Sequence, residues 1–143
     1  MEREYPFGGL LRIRRVQLED AGQSLLNANR KSRDAHSSEE RARHKLAHYG
    51  AGNSSMSTLL SVASARITSA AMLSELANLT LLADMELADA KENYTKAKQA
   101  VVPLEKLEER HNEELAAYDI KEEQKVLDEI ASNNAAKTDK EGA

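Results

Sequence analysis

The feature that most constrains this chain is a seven-residue repeat of apolar side chains that continues through most of its length. In the second part of the chain, from Leu59 to Tyr118, the first (a) and fourth (d) positions of each heptad are mostly Leu, Ala, Val or Tyr. Apolar residues spaced 3.5 apart on average form the seam of a left-handed coiled coil. The a positions are Leu59, Arg66, Leu73, Thr80, Leu87, Tyr94, Val101, Glu108 and Leu115, and the d positions are Val62, Ser69, Leu76, Ala83, Ala90, Ala97, Leu104, His111 and Tyr118.

The first part of the chain has the same repeat and predicts a helix from about Phe7 to Tyr49. Its a positions are Leu11, Leu18, Leu25, Ser32, Glu39 and Leu46, and its d positions are Arg14, Ala21, Ala28, Ala35, Ala42 and Tyr49. Ser37 followed by Glu40 matches a capping box, which would start a new helix there. The repeat across this point favours one continuous helix.

The segment 50–55, Gly-Ala-Gly-Asn-Ser-Ser, is the strongest stop-and-start signal in the sequence. Glycine readily takes the left-handed conformation that ends a helix, and Asn or Ser can cap the helix that follows. A second helix is predicted from about Met56 to about Ser132, followed by a polar tail over 133–143. Large residues favour a and alanines favour d, so an antiparallel pair sets large against small and fills each layer evenly. The predicted fold is all-α, a long antiparallel two-helix coiled-coil hairpin with the second helix overhanging the first.

The two predicted helices differ in length. If pairing starts directly at the turn, the first helix covers the second only from about Met56 to Lys98, and everything from Gln99 onward overhangs. Pro103, at this junction, removes a backbone hydrogen bond and predicts a bend. Apolar residues continue beyond it, which indicates that the overhang meets a partner.

Composition and charge narrow the function classes. The chain has no cysteine, so it has neither a disulfide framework nor a thiolate metal site, as is common in the cytoplasm. Its net charge of -4 does not suggest nucleic acid. Charged residues interrupt its most apolar region, so direct membrane insertion is not expected. The charges are unevenly distributed, which suits an electropositive helix at one end and an acidic arm over 104–130 at the other, although solvated helix faces explain most of these charges.

No set of residues predicts catalysis, a cofactor or a metal. His44 and His48 lie four residues apart, and Glu108 and His111 form a single Glu-x-x-His step. Metal sites need at least one further ligand, and di-iron bundles need a second such step. Solvated histidines on a helix are the simpler interpretation of both pairs.

The run from Leu104 to Ala131, LEKLEERHNEELAAYDIKEEQKVLDEIA, resembles the C-terminal part of the FliJ family. The opening FGGLLRIRRVQLEDAGQSL, the length and the hairpin layout are also similar to that family, from which Pro103 departs. Candidate partner-binding residues follow from the matching C-terminal run: Leu104, Leu107, Arg110, Glu113, Tyr118, Glu123, Gln124, Leu127, Asp128, Glu129 and Ile130.

The resemblance implies a soluble part of the flagellar type III export apparatus. Members of the family resemble the stalk of rotary ATPases, occupy the pore of the export ATPase ring, contact the membrane export gate protein and cycle export chaperones. The chain would then be cytoplasmic, or peripheral at the inner face of the cell membrane. Two alternatives remain at this stage: a related injection-type secretion system, or a general coiled-coil adaptor that acts as a homodimer.

Overall fold

A computed structural model describes residues 2–48 and 56–142, and nearly all of them are helical. Helix α1 spans Gly8–His48 and helix α2 spans Met56–Glu141, with no strand in the described ranges. The two helices pack against each other, which confirms the all-α helical hairpin. The predicted turn at 50–55 lies outside the described residues.

Helix α1 is continuous through the possible break at Ser37 to Glu40, as the heptad repeat favoured. A turn precedes it, in which the backbone N–H of Gly8 donates to the carbonyl of Tyr5 at 3.0 Å. Its last turn carries Lys45 and His48, where positive charge interacts favourably with the helix dipole.

The predicted heptad seam is confirmed by burial. Every described a and d position of α1 is buried or half-buried, and so is every one of α2 from Ser69 to Leu115. The buried apolar side chains are small in number and mostly small in size: Leu11, Ala28, Ala83, Ala90 and Val101. A core of this kind is one side chain thick, so most other apolar residues stay exposed.

The chain divides into two compact units, and each contains parts of both helices. In the unit Val16–Lys98, Tyr94 lies 3.6 Å from the position that a Cβ on Gly22 would take, and Ser32 bonds Asp84 at 2.6 Å. A contact ten residues further along α1 therefore falls ten residues earlier along α2, so the two helices are antiparallel. Lys31 and Glu86, both at g positions, pair at 3.2 Å, which agrees with an antiparallel orientation because it brings g residues of the two helices together.

The other unit, Met1–Arg15 with Gln99–Ala143, corrects the predicted start of the overhang. Val101 is only 2% exposed, and the guanidinium of Arg15 lies 3.3 Å from Glu105. The covered part continues as far as Asp119, which pairs with Arg3 at 3.0 Å. The prediction that everything from Gln99 onward lacks an intramolecular partner is therefore wrong, and the uncovered part of α2 starts after Asp119.

The physical reason is the register between the helices. The prediction assumed that pairing begins at the turn, but the free energy of closing a loop rises only slowly with its length. Buried layers and cross-helix pairs decide the register instead, and they shift α1 toward the C-terminal end of α2. The same shift leaves the first turns of α2 exposed at Met56, Leu59 and Leu60.

The C-terminal end of α2 also differs from the prediction. The helix was expected to end near Ser132, but it continues to Glu141, and Pro103 lies inside it without ending it. Residues 133–141 include the helix formers Ala135, Ala136 and Lys137, and the sequence has no Gly or Pro between Pro103 and Gly142. A polar composition alone was therefore not a stop signal.

Candidate partner-binding surface

The predicted partner-binding residues fall into two groups in the structure. Those up to Tyr118 lie on the part of α2 that the N-terminal residues and α1 cover: Leu104, Leu107, Arg110, Glu113 and Tyr118. Those that follow lie on the uncovered part, where every described side chain is exposed: Glu123, Gln124, Leu127, Asp128, Glu129 and Ile130. The sequence run that suggested one surface therefore contains two different environments.

In the covered group, Leu104 has an intramolecular role. The hydroxyl of Tyr5 donates to the carbonyl of Leu104 at 2.9 Å, and the Tyr5 ring lies 5.9 Å from that of His111. Nε2 of His111 is buried and makes no hydrogen bond to the described part of the chain. Burial raises the pKa of Tyr5, and the nearby carboxylate of Glu108 raises it further. This face of α2 is used to hold the N-terminal residues.

In the uncovered part of α2, three of the four large apolar residues share one helix face. Ile120, Leu127 and Ile130 are seven and three residues apart, and such spacings place side chains on the same side. All three are more than half exposed. Sequence reasoning missed Ile120, although its seven-residue distance from Leu127 was a usable signal. We name these three residues the C-terminal ridge.

The C-terminal ridge lies on a different face from the heptad seam. It uses b and f positions, whereas the seam that packs on α1 uses a and d. Glu123 lies along the ridge, while Asp128 and Glu129 lie on other faces of the helix. An apolar ridge on an exposed helix is the pattern that docks into a hydrophobic groove of a partner. The acidic surroundings favour a groove with a basic rim.

A polar cluster interrupts the seam in the unit Val16–Lys98. Asp84 accepts a hydrogen bond from the Ser32 hydroxyl at 2.6 Å and lies 3.0 Å from Nε2 of His36. These two hydrogen bonds, that of Ser32 first, lower the pKa of Asp84 below its ordinary value of 3.8. Polar groups in a coiled-coil seam fix its register, so this cluster positions the two helices along each other.

The lowered pKa of Asp84 gives a pH prediction. A carboxyl group whose pKa is lower in the folded state stabilises the fold above its unfolded pKa, and that contribution disappears as pH falls through the folded value. We expect Asp84→Asn to be less stable than wild type at neutral pH and to lose less further stability below the ordinary value of 3.8. Urea unfolding across acidic pH measures both. Asp89→Asn, at an exposed site on α2, is the control and should keep the wild-type pH dependence.

A groove of about 930 Å³ lies between the helices in the unit Val16–Lys98. Arg41 and Lys45 supply its cations, and Leu60, Met72 and Leu76 supply much of its apolar wall. Nearby on α1, the rings of two histidines, His44 and His48, stack 4.2 Å apart. The described residues contain no group of three or more potential metal ligands.

Comparison with known protein families identifies a match. The model of a family described as "Flagellar FliJ protein" matches residues 3–140, nearly the whole chain. No curated protein and no solved structure matches. The family match extends across both helices and includes the C-terminal ridge.

Proposed function

Because the chain belongs to the FliJ family of flagellar export components, we propose that it is the stalk-like partner of the export ATPase ring. One observation carries the proposal: beyond Asp119, α2 has no cover within the described chain, yet it keeps the apolar C-terminal ridge. A stalk must present unpaired helix to the subunits around it. The ridge is the part of the chain that meets this requirement, and we assign ring binding to it.

The proposal includes the remaining partners of the apparatus. The chain would escort export chaperones and contact the membrane export gate protein, in the cytoplasm or peripherally at the inner face of the cell membrane. The candidate residues on the covered part of α2, such as Arg110 and Glu113, are exposed at its edge and are available to these partners without unpairing the hairpin.

A titration tests ring binding directly. The purified chain is added to the export ATPase from the same source, while the hydrolysis rate and co-elution on a sizing column are followed. Stimulated hydrolysis with co-elution is the expected result, because a stalk that enters the ring contacts several subunits and biases their assembly. Neither effect at a saturating amount of the chain would contradict the proposal.

A further inference from the structure

Helix α2 carries a second heptad seam that α1 does not cover. Between Met56 and Leu81, the b and e positions contain no charged residue, in a chain in which 31% of residues are charged. The b positions are Leu60, Ile67, Ser74 and Leu81, and the e positions are Met56, Ala63, Ala70 and Ala77. All of them are exposed except Ala77, which is half-buried. We name this set the second seam; Ser74 is its one polar member.

The second seam lies on a different side of α2 from the a/d seam. With about 100° per residue, the centres of the two seams are about 100° apart around the helix. Together the two seams make α2 apolar over a much wider arc of its circumference than contact with α1 alone can bury. A helix that is apolar over so wide an arc normally packs against a second neighbour. Part of α2 is even apolar enough over 18 residues to qualify as a membrane span by length and composition, although none of that stretch is buried.

We propose that the second seam binds a second copy of this chain in antiparallel orientation. Its larger residues are mostly at b and its alanines are mostly at e, so an antiparallel partner sets large against small in two of the four distinct layers, and no layer contains a charge. The layers pair Leu60 with Ala77, Ile67 with Ala70, Ser74 with Ala63 and Leu81 with Met56 of the second copy. A parallel partner would instead stack Leu60 on Leu60 and alanine on alanine.

The residues beside the second seam fit the same register. The f positions that flank it are also uncharged: Ser57, Ser64, Ala71, Asn78 and Met85. In the antiparallel register, Ser64 comes beside Asn78 of the second copy, and the hydroxyl can donate to the side-chain carbonyl of the amide. The contact occurs twice, because the two copies are related by a two-fold axis. Since all the f positions are uncharged, no like charges meet along this edge of the interface.

The charges on this part of α2 favour a protein partner over a lipid surface. Helices that lie on membranes carry Lys and Arg around their apolar face. Along the second seam, from Met56 to Leu81, α2 has one basic residue, Arg66, and one acidic residue, Glu75. This stretch therefore lacks the cationic border that attracts anionic headgroups, whereas a second copy of the uncharged seam needs no such border.

The interface between the two copies is small. The layers from Met56 to Leu81 extend along about 37 Å of helix, with a width of about 10 Å. This footprint is smaller than that of a standard specific interface, which buries about 800 Å² on each partner, so the contact belongs to the weak, transient class. We expect a dimer that forms at high micromolar concentration and dissociates on dilution. The second seam does not include the C-terminal ridge, so dimer formation and ring binding can be tested separately.

Sedimentation of matched variants tests the surface. Leu60 and Leu82 are leucines of α2 that are 67% and 56% exposed, but only Leu60 belongs to the second seam. At about 100 µM, above a micromolar dissociation constant, wild type and Leu82→Glu should be dimeric and Leu60→Glu monomeric, all with the same helical circular dichroism. The Leu60→Glu chain should still co-elute with the ATPase ring. A monomeric wild type, or equal dissociation of both variants, would overturn the proposal.

Cysteine crosslinking tests the orientation, because the natural chain contains no cysteine. Mixing a Leu60→Cys chain with an Ala77→Cys chain should give a mixed disulfide far more readily than either chain alone, since two copies of position 60 would lie about 26 Å apart. Efficient crosslinking of Leu60→Cys with itself would indicate a parallel dimer and refute the antiparallel one. Flotation of the wild type with phosphatidylglycerol vesicles, lost in Leu60→Glu, would assign the seam to lipid and also overturn the proposal.

Discussion

Replacing Leu11 with alanine should lower the free energy of unfolding by about 3 kcal/mol, the usual cost of emptying a fully buried leucine site. Leu11 is 1% exposed and is the largest fully buried side chain among the described residues. Few other side chains of its unit are buried as deeply, so the surroundings can offset little of the loss. The contacts of Tyr5 and Arg3 with α2 depend on the same short stretch of chain.

Leu10→Ala is the matched control for this prediction. Leu10 is the neighbouring residue of the same type, but it is 41% exposed, so the same truncation removes much less buried area. Urea unfolding gives the two changes in stability. Hydrogen exchange should show that Leu11→Ala also weakens protection at the start of α1, around Gly8 to Arg15. Equal losses for the two variants would mean that the a position at Leu11 is not a core site.

The sequence was sufficient to predict the two helices and the face that each buries. The seven-residue repeat reports which side of a helix is apolar, and this depends only on local spacing. Even the polar a position Ser32 is buried as the repeat requires, because Asp84 satisfies its hydroxyl. The predicted seam is therefore confirmed at a polar a position as well as at the apolar ones.

The register between the helices could not be predicted in the same way. Shifting an antiparallel coiled coil by one heptad keeps every a residue against a d residue, so the repeat does not distinguish the alternatives. The choice depends on which particular side chains face each other, above all the hydrogen bond between the buried Ser32 and Asp84; the exposed Lys31–Glu86 pair adds little. The predicted overhang began too early for this reason, and its functional part became clear only from the exposed residues beyond Asp119.

The C-terminal ridge gives the second large prediction, the loss of ring binding in the double variant Leu127→Asp/Ile130→Asp. The proposed function assigns this ridge to the ATPase ring. Two carboxylates placed at its centre would have to be buried without partners in an apolar groove, which costs several kcal/mol. We expect co-elution with the ring and stimulation of hydrolysis to be abolished together. Because both residues are exposed in the free chain, the hairpin itself should unfold as the wild type does.

The control must add the same charge to the same helix without touching the ridge. Ser132→Asp/Ala135→Asp does so, because both residues are exposed and lie on other faces of α2. If the ridge is the binding surface, this variant binds the ring with only the modest loss that two extra negative charges cause at a distance. If both double variants lose binding equally, the acidic charge of the overhang and not its apolar ridge governs the interaction. If neither loses binding, the ring contacts another part of the chain, and the assignment of the ridge is wrong.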